Sequence, residues 1–321
     1  LGDASLSQRP MERVVAPLSV LGAVLQSSPP NGTLPLYLSS SPLKGKYIDL
    51  SVASAQVKSA ILLAGLGAAG VTEVREPYPS RDHSERMLAA MGAPISFGEG
   101  YARIEGPIPH LQPLNLAIPG DPSTAAFLVC LAVMQIGSEL YIPEVLVNPG
   151  RIGYLHILKQ MGARIEILNA RTLSGEPVAD LRVFGSTLHG TDIGPEDVPG
   201  CVDELPILAI VMSIAKGRSR VHGAKELRIK ESDRISGIVE GLRSFGVEIE
   251  EFEDGFALDG GQSLVGAKPK CLGDHRLIMA FSIAASIANG ETIIEDSDAV
   301  SVSYPEFSSR LRELGVNIEA L

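Results

Sequence analysis

One pattern of apolar and polar positions recurs along the chain. A polar opening leads into an alanine-rich apolar run of helical length, then a glycine and a strand-like stretch. A charged loop, a second helical segment, a Gly-Ala or Gly-Val pair and a further strand-like stretch follow. Complete copies open with VASAQVKSAILLAGLG, IPGDPSTAAFLVCLAV, VDELPILAIVMSIAKG and LGDHRLIMAFSIAASI, and the glycine closing each second helix falls at Gly92, Gly162, Gly246 and Gly315. In ERMLAAMGA, Met87, Leu88 and Met91 share one helical face and Gly92 suits a C-cap. Ile238, Leu242 and Phe245 do the same ahead of Gly246, and Val247 and Ile249 then alternate as a strand does. Linking segments such as GQSLVGAKPK read as further strands and turns. The spacing exceeds solenoid periods, so each copy is a small α/β unit.

The stretch MERVVAPLSVLGAVLQSS reads as the second half of one more copy, because Gly22 stands one interval before Gly92. A half-copy cannot bury its apolar face alone. The repeat logic therefore expects the chain to begin inside a domain, as a truncated or split protein with room for a complementary N-terminal fragment; the alternative is a short variant with a degenerate cap.

Composition narrows the function. The 321 residues suggest two domains. A net charge of −11 argues against broad nucleic-acid binding, which needs a basic face, but leaves room for a local Arg and Lys cluster around a small anion. The absence of Trp argues against a base-stacking platform. Cys130, Cys201 and Cys271 are far apart, show no zinc or disulfide spacing, and fit a reducing, cytoplasmic setting. The most apolar stretch, around residues 123–137, is too short to span a bilayer, so no membrane role is expected.

The polar residues that open the first helices allow two readings. Ser54, Asp121, Asp203-Glu204 and Asp274-His275-Arg276 could simply cap helices, and Asp121 before Pro122 fits that role best. Alternatively, repeated helix N-termini face a common cleft and favour anions there. Arg9, Arg81, Arg234 and Arg276, all near such openings, support the second reading. LRIKESDRI is the densest cluster. If helical, it would put Lys230 and Arg234 on one face, as in an ordinary salt-bridged surface helix. His275 receives no chemical role.

GDASLSQRPM, VASAQVKSA, EPYPSRDHSERML, PGDPSTAAF, VDELPILA, ELRIKESDR, DHRLIMAFS and SVSYPEF become specific when taken together and in this order. The chain resembles the 5-enolpyruvylshikimate-3-phosphate (EPSP) synthase family over essentially its whole length. The resemblance implies an α/β fold of repeated βαβαββ units in two domains, an inside-out α/β barrel. The first domain would be incomplete at 1–118 and the second would run 119–321, with a hinge near Ile118 to Asp121. Two N-terminal family segments that contribute to the substrate sites do not precede Gly2.

The implied reaction adds the 5-hydroxyl of shikimate 3-phosphate to C2 of phosphoenolpyruvate and then expels phosphate. By motif match, Arg9, Arg234 and Arg276 hold phosphoenolpyruvate, while Ser54, Gln56, Arg81, Asp203 and Lys230 hold shikimate 3-phosphate. Asp203 matches the base and Glu231 the acid. Arg and Lys suit two polyanionic substrates, and neither a metal nor an organic cofactor is implied. Val302 stands where many members carry a lysine, which removes one cation from the expected phosphoenolpyruvate site. Two rival readings remain. One is a UDP-N-acetylglucosamine enolpyruvyl transferase, which needs a reactive loop cysteine. The other is a non-catalytic fragment that binds only with its N-terminal partner.

Overall fold

A computed structural model describes residues 7, 9–27 and 32–319. The chain divides into two compact units. One comprises the chain to Ala117 together with Thr172–Glu176; the other comprises Ile118–Arg171 and everything from Pro177 on.

The first unit opens with helix α1 (Glu12–Val20) and the antiparallel pair β1 (Val24–Ser27) and β2 (Leu36–Ser39). One full βαβαββ copy follows: β3 (Tyr47–Asp49), α2 (Ala55–Gly65), β4 (Gly70–Arg75), α3 (His83–Ala90), β5 (Ile95–Gly98) and β6 (Tyr101–Gly106). Its sheet runs β3-β4-β6-β5, parallel between β3 and β4 and antiparallel elsewhere. Val57, Ile61 and Leu62 of α2 pack with Val74 and Ile104 in the core of this unit.

The second unit repeats the plan. α4 (Pro122–Met134), β7 (Glu139–Leu146), α5 (Gly153–Gln160), β8 (Arg164–Leu173) and β9 (Glu176–Phe184) form one copy. Its leading strand shrinks to a parallel bridge between Gly120 and Val145. The next copy is β10 (Asp192–Ile193), the short α6 (Val198–Cys201), α7 (Leu205–Ile214), β11 (Arg218–Val221), a 3₁₀ turn at Lys225–Ile229, α8 (Arg234–Ser244), β12 (Ile249–Phe252) and β13 (Gly255–Asp259). Its sheet order, β10-β11-β13-β12, and its strand directions match those of the first unit. The last copy keeps its helices, α9 (His275–Ile287), α10 (Ala299–Ser303) and α11 (Phe307–Glu313). Among the described residues, however, its only pairing is a parallel bridge between Val265 and Asn289. The strands read from GQSLVGAKPK and after Gly315 are therefore absent there.

The first helices of the three copies, α4, α7 and α9, pack against one another. They are apolar all round, as buried helices are, and Phe127, Ile207, Leu208 and Phe281 are all but inaccessible. The helices thus form the centre of this unit. The second helices keep a polar side, and each ends in the same way. The glycine after each helix (Gly22, Gly92, Gly162, Gly246, Gly315) has φ between 81° and 101°. Its N–H bonds back three residues and the next N–H bonds back five, as in Val247 to the Leu242 carbonyl at 3.0 Å. This is the Schellman arrangement, and it needs a left-handed residue that only glycine adopts without strain. The recurring glycine in the sequence is this chain reversal.

Candidate active site

In the second unit, the candidate residues converge on one guanidinium. Asp233 caps α8 by accepting the Ser236 N–H at 3.1 Å, which makes Arg234 the first residue of the helix. Arg234 is only 1% exposed. Its Nε donates to Asp274 Oδ2 at 2.8 Å and its NH2 to Glu231 Oε2 at 2.6 Å, while its NH1 lies 3.6 Å from Asp203 Oδ1. Asp274 in turn caps α9, accepting the Arg276 N–H at 2.9 Å and the Ser232 hydroxyl at 3.0 Å. Arg276 points back across the cluster. Its NH1 donates to the Asp203 carbonyl at 3.0 Å, and its guanidinium lies 3.9 Å from the Asp203 carboxylate. Asp203, Glu231, Arg234 and Arg276 are thus brought together from two copies of the repeat.

Two features of the cluster were not expected. Glu204, beside Asp203, is buried at the head of α7 and makes no side-chain cap. Burial pushes its carboxyl up, partly offset by Arg276, whose NH1 lies 3.7 Å away. Asp274, which the sequence offers only as one of several polar helix openings, anchors the cluster through Arg234. Burial raises its carboxyl, but Arg234 and the Arg276 N–H outweigh that and hold it below the usual range. His275 next to it is lowered by burial and by Arg276.

Lys230 departs from the helical reading. It follows the 3₁₀ turn in extended backbone, so it shares no helix face with Arg234. Its ammonium pairs with Glu226 at 2.6 Å. The pattern of charges in KESDR suits a surface helix, but Asp233 starts the helix three residues later than that pattern suggests.

In the first unit, Ser54 caps α2, accepting the Val57 N–H at 3.4 Å, and lies 3.4 Å from the exposed Gln56 Oε1. Behind them, Lys58 is buried between Glu76 at 2.7 Å and Glu85 at 2.8 Å. The motif VASAQVKSA contains Lys58, but its acidic partners lie outside that motif, so sequence reasoning did not single out this triplet. Arg81 is half-buried on the loop between β4 and α3, and Arg9 is half-buried ahead of α1. Gly2 to Leu6 and Gln8 of the GDASLSQRPM motif lie outside the described residues.

All three cysteines are buried. Burial pushes the Cys130 and Cys201 thiols up, with Glu204 adding to it, and pushes Cys271 up to about 12. None has the environment of a reactive thiol, which counts against the UDP-N-acetylglucosamine enolpyruvyl transferase reading. Among the described residues, no helix is long and apolar enough to cross a membrane.

The repeated α/β units and the arginine–carboxylate cluster at their helix starts fit the enolpyruvyl transferase class that the sequence motifs imply. The family model for EPSP synthase (3-phosphoshikimate 1-carboxyvinyltransferase) matches residues 1–311, and the chain belongs to that family. The 3-phosphoshikimate 1-carboxyvinyltransferase of Desulforamulus reducens is 46% identical over 98% of this chain and 73% of its own length. That of Syntrophomonas wolfei is 47% identical with the same coverage. An EPSP synthase structure from Acinetobacter baumannii superposes with a TM-score of 0.90 at 40% identity, covering 99% of this chain and 73% of the other. The enolpyruvyl transferase NikO from Streptomyces tendae, 19% identical with a TM-score of 0.78, shares the fold.

Proposed function

We infer that the chain catalyses the transfer for which its family is named: the carboxyvinyl group of phosphoenolpyruvate passes to the 5-hydroxyl of shikimate 3-phosphate, and phosphate leaves. The observation that carries this reading for the chemical step is Arg234, held between the carboxylates of Glu231 and Asp203 and seated on Asp274. Asp203 takes the hydroxyl proton as the oxygen bonds C2 of phosphoenolpyruvate. Glu231 protonates the methylene, which becomes a methyl group. In the second step the bond from C2 to the phosphate oxygen breaks, phosphate departs with the proton that Asp203 took, Glu231 takes back a methyl proton, and the enol ether remains.

Arg9, Arg234 and Arg276 bind phosphoenolpyruvate; Ser54, Gln56, Arg81, Asp203 and Lys230 bind shikimate 3-phosphate. Glu231 is exposed, so an incoming anion competes with it for Arg234 and frees its carboxyl for proton transfer. A cytoplasmic location belongs to this reading, supported by three free, buried cysteines.

The test is phosphate release from phosphoenolpyruvate, with shikimate 3-phosphate or UDP-N-acetylglucosamine as acceptor. It is run on the chain alone and with the N-terminal segment of a relative supplied as a separate polypeptide. Turnover with shikimate 3-phosphate in either arm supports the reading, and dependence on the added segment would support the complementary-fragment expectation. A folded chain that turns over neither acceptor in both arms, or only the nucleotide sugar, overturns it.

A further inference from the structure

The loop that carries Arg81 is pinned at both ends by one buried ammonium. It leaves β4 at Glu76 and enters α3 ahead of Glu85. Lys58 Nζ lies 2.7 Å from Glu76 Oε1 and 2.8 Å from Glu85 Oε1, with the three side chains 5%, 1% and 2% exposed. Glu76 has a second bond, because its Oε2 accepts the Ser54 backbone N–H at 3.1 Å. Lys58 itself lies in the first turn of α2, and its own N–H bonds the Ser54 carbonyl at 2.9 Å. A single cation therefore connects the helix start bearing Ser54 and Gln56 to the loop bearing Arg81. A second link joins the same elements: the Ser59 and Ser84 hydroxyls, on α2 and α3, lie 2.6 Å apart.

Desolvating three charges costs too much for this triplet to be explained by stability alone; an apolar cluster of the same volume would serve as well. Ionic bonds at fixed lengths give registry instead. Burial works against the Lys58 charge, yet Glu76 and Glu85 outweigh it and keep the ammonium protonated. We propose that Lys58 is a positioning residue for the acceptor substrate, holding Ser54, Gln56 and Arg81 in the mutual geometry that grips a phosphorylated cyclic hydroxy acid. The inference rests on the reading above that those three residues are its ligands.

The experiment is calorimetric titration of shikimate 3-phosphate into the chain and its variants, under the assay condition that supports turnover, with KM and kcat for both substrates. Lys58→Met leaves two buried carboxylates unpaired and invites unfolding, so it is paired with Lys58→Met/Glu85→Gln, which removes one of them. The double variant is expected to keep a wild-type circular dichroism spectrum. Its affinity for shikimate 3-phosphate should fall about tenfold, the loss of one well-aligned charge-assisted hydrogen bond. Its KM for phosphoenolpyruvate should stay within about twofold of wild type, a difference too small to count as a lost hydrogen bond. Lys58→Arg, which can keep both ion pairs, should recover most of the affinity. Wild-type affinity in the folded double variant, or an equal loss for both substrates, overturns the proposal. Arg81→Ala separates the two levels. If it binds like wild type, the ligand reading falls and the inference with it. If it binds weakly while the Lys58 variants bind normally, the inference alone falls.

Discussion

Arg234 and Asp274 form an ion pair out of contact with solvent: Nε and Oδ2 are 2.8 Å apart, with side chains 1% and 0% exposed. Two copies of the repeat meet in this pair, since Arg234 opens α8 and Asp274 caps α9. Its burial sets Arg234 apart from the surface charges that surround it in the sequence.

Asp274→Asn should therefore destabilise the protein strongly, on the order of 3 kcal/mol, because it leaves Arg234 buried with less charge compensation. The effect has a pH signature. The native Asp274 carboxyl sits below the usual carboxylate value, so its contribution is complete above about pH 4. It is lost as the pH falls through the lower native value, where the folded state also takes up the proton. Melting curves should show the gap between wild type and Asp274→Asn widest near neutrality and closing below pH 4. A gap that grows toward acid would contradict this.

The repeat glycines offer a second check. A Cβ at Gly162 would meet the Thr187 carbonyl oxygen at 3.0 Å, whereas one at Gly315 meets nothing within 4 Å; both glycines have positive φ. Gly315→Ala should cost about 1–2 kcal/mol, the penalty of a left-handed alanine. Gly162→Ala should cost more, since it adds a clash against backbone. Urea titrations of the two variants measure the difference, and equal midpoints would mean that the Gly162 turn relaxes.

These glycines also show what the sequence made legible. A left-handed helix end can be built cheaply from only one residue type, so the fold leaves the same letter at every repeat. The strands of the last copy carry no such constraint, and a stretch such as GQSLVGAKPK has strand-like composition while forming a single bridge. At the site, the same asymmetry holds. Asp203, Glu231, Arg234 and Arg276 lie in motifs and converge in one cluster. Asp274 does not stand out among the helix openings, because a cap and an ion-pair anchor have the same sequence signature. Lys58, Glu76 and Glu85 are remote in sequence, and only the folded βαβ unit brings them together.

On the proposed assignment, the anion sites separate by substrate. Arg276→Ala should weaken phosphoenolpyruvate binding and Arg81→Ala shikimate 3-phosphate binding, each by roughly one to two decades, for the loss of a charge-assisted hydrogen bond of about 1.5–3 kcal/mol. Arg276 also donates to the Asp203 carbonyl at 3.0 Å, so its variant should lower kcat as well, a second effect not expected of Arg81→Ala. Titrations with each substrate alone decide the assignments, and unchanged affinity removes the residue from its role.

Asp203 and Glu231 share Arg234 but make different demands on it. Asp203 stands 3.6 Å from NH1, beyond hydrogen-bond distance, and lies just ahead of α7, where Glu204 takes the cap position. Its removal leaves Arg234 bound to Glu231 and Asp274, so Asp203→Ala should keep the fold. If Asp203 is the base proposed above, turnover with both substrates saturating should nevertheless fall about 10²–10⁴-fold. Glu231→Gln keeps a carbonyl oxygen for the Arg234 NH2 at nearly the same place, so binding of phosphoenolpyruvate should survive. Proton delivery to the methylene should not, and exchange of its hydrogens with deuterated water should slow along with turnover. The two variants thus fail at different atoms: Asp203→Ala at the acceptor hydroxyl, Glu231→Gln at the methylene carbon. Full turnover in Asp203→Ala moves the base elsewhere, and undiminished methylene exchange in Glu231→Gln does the same for the acid.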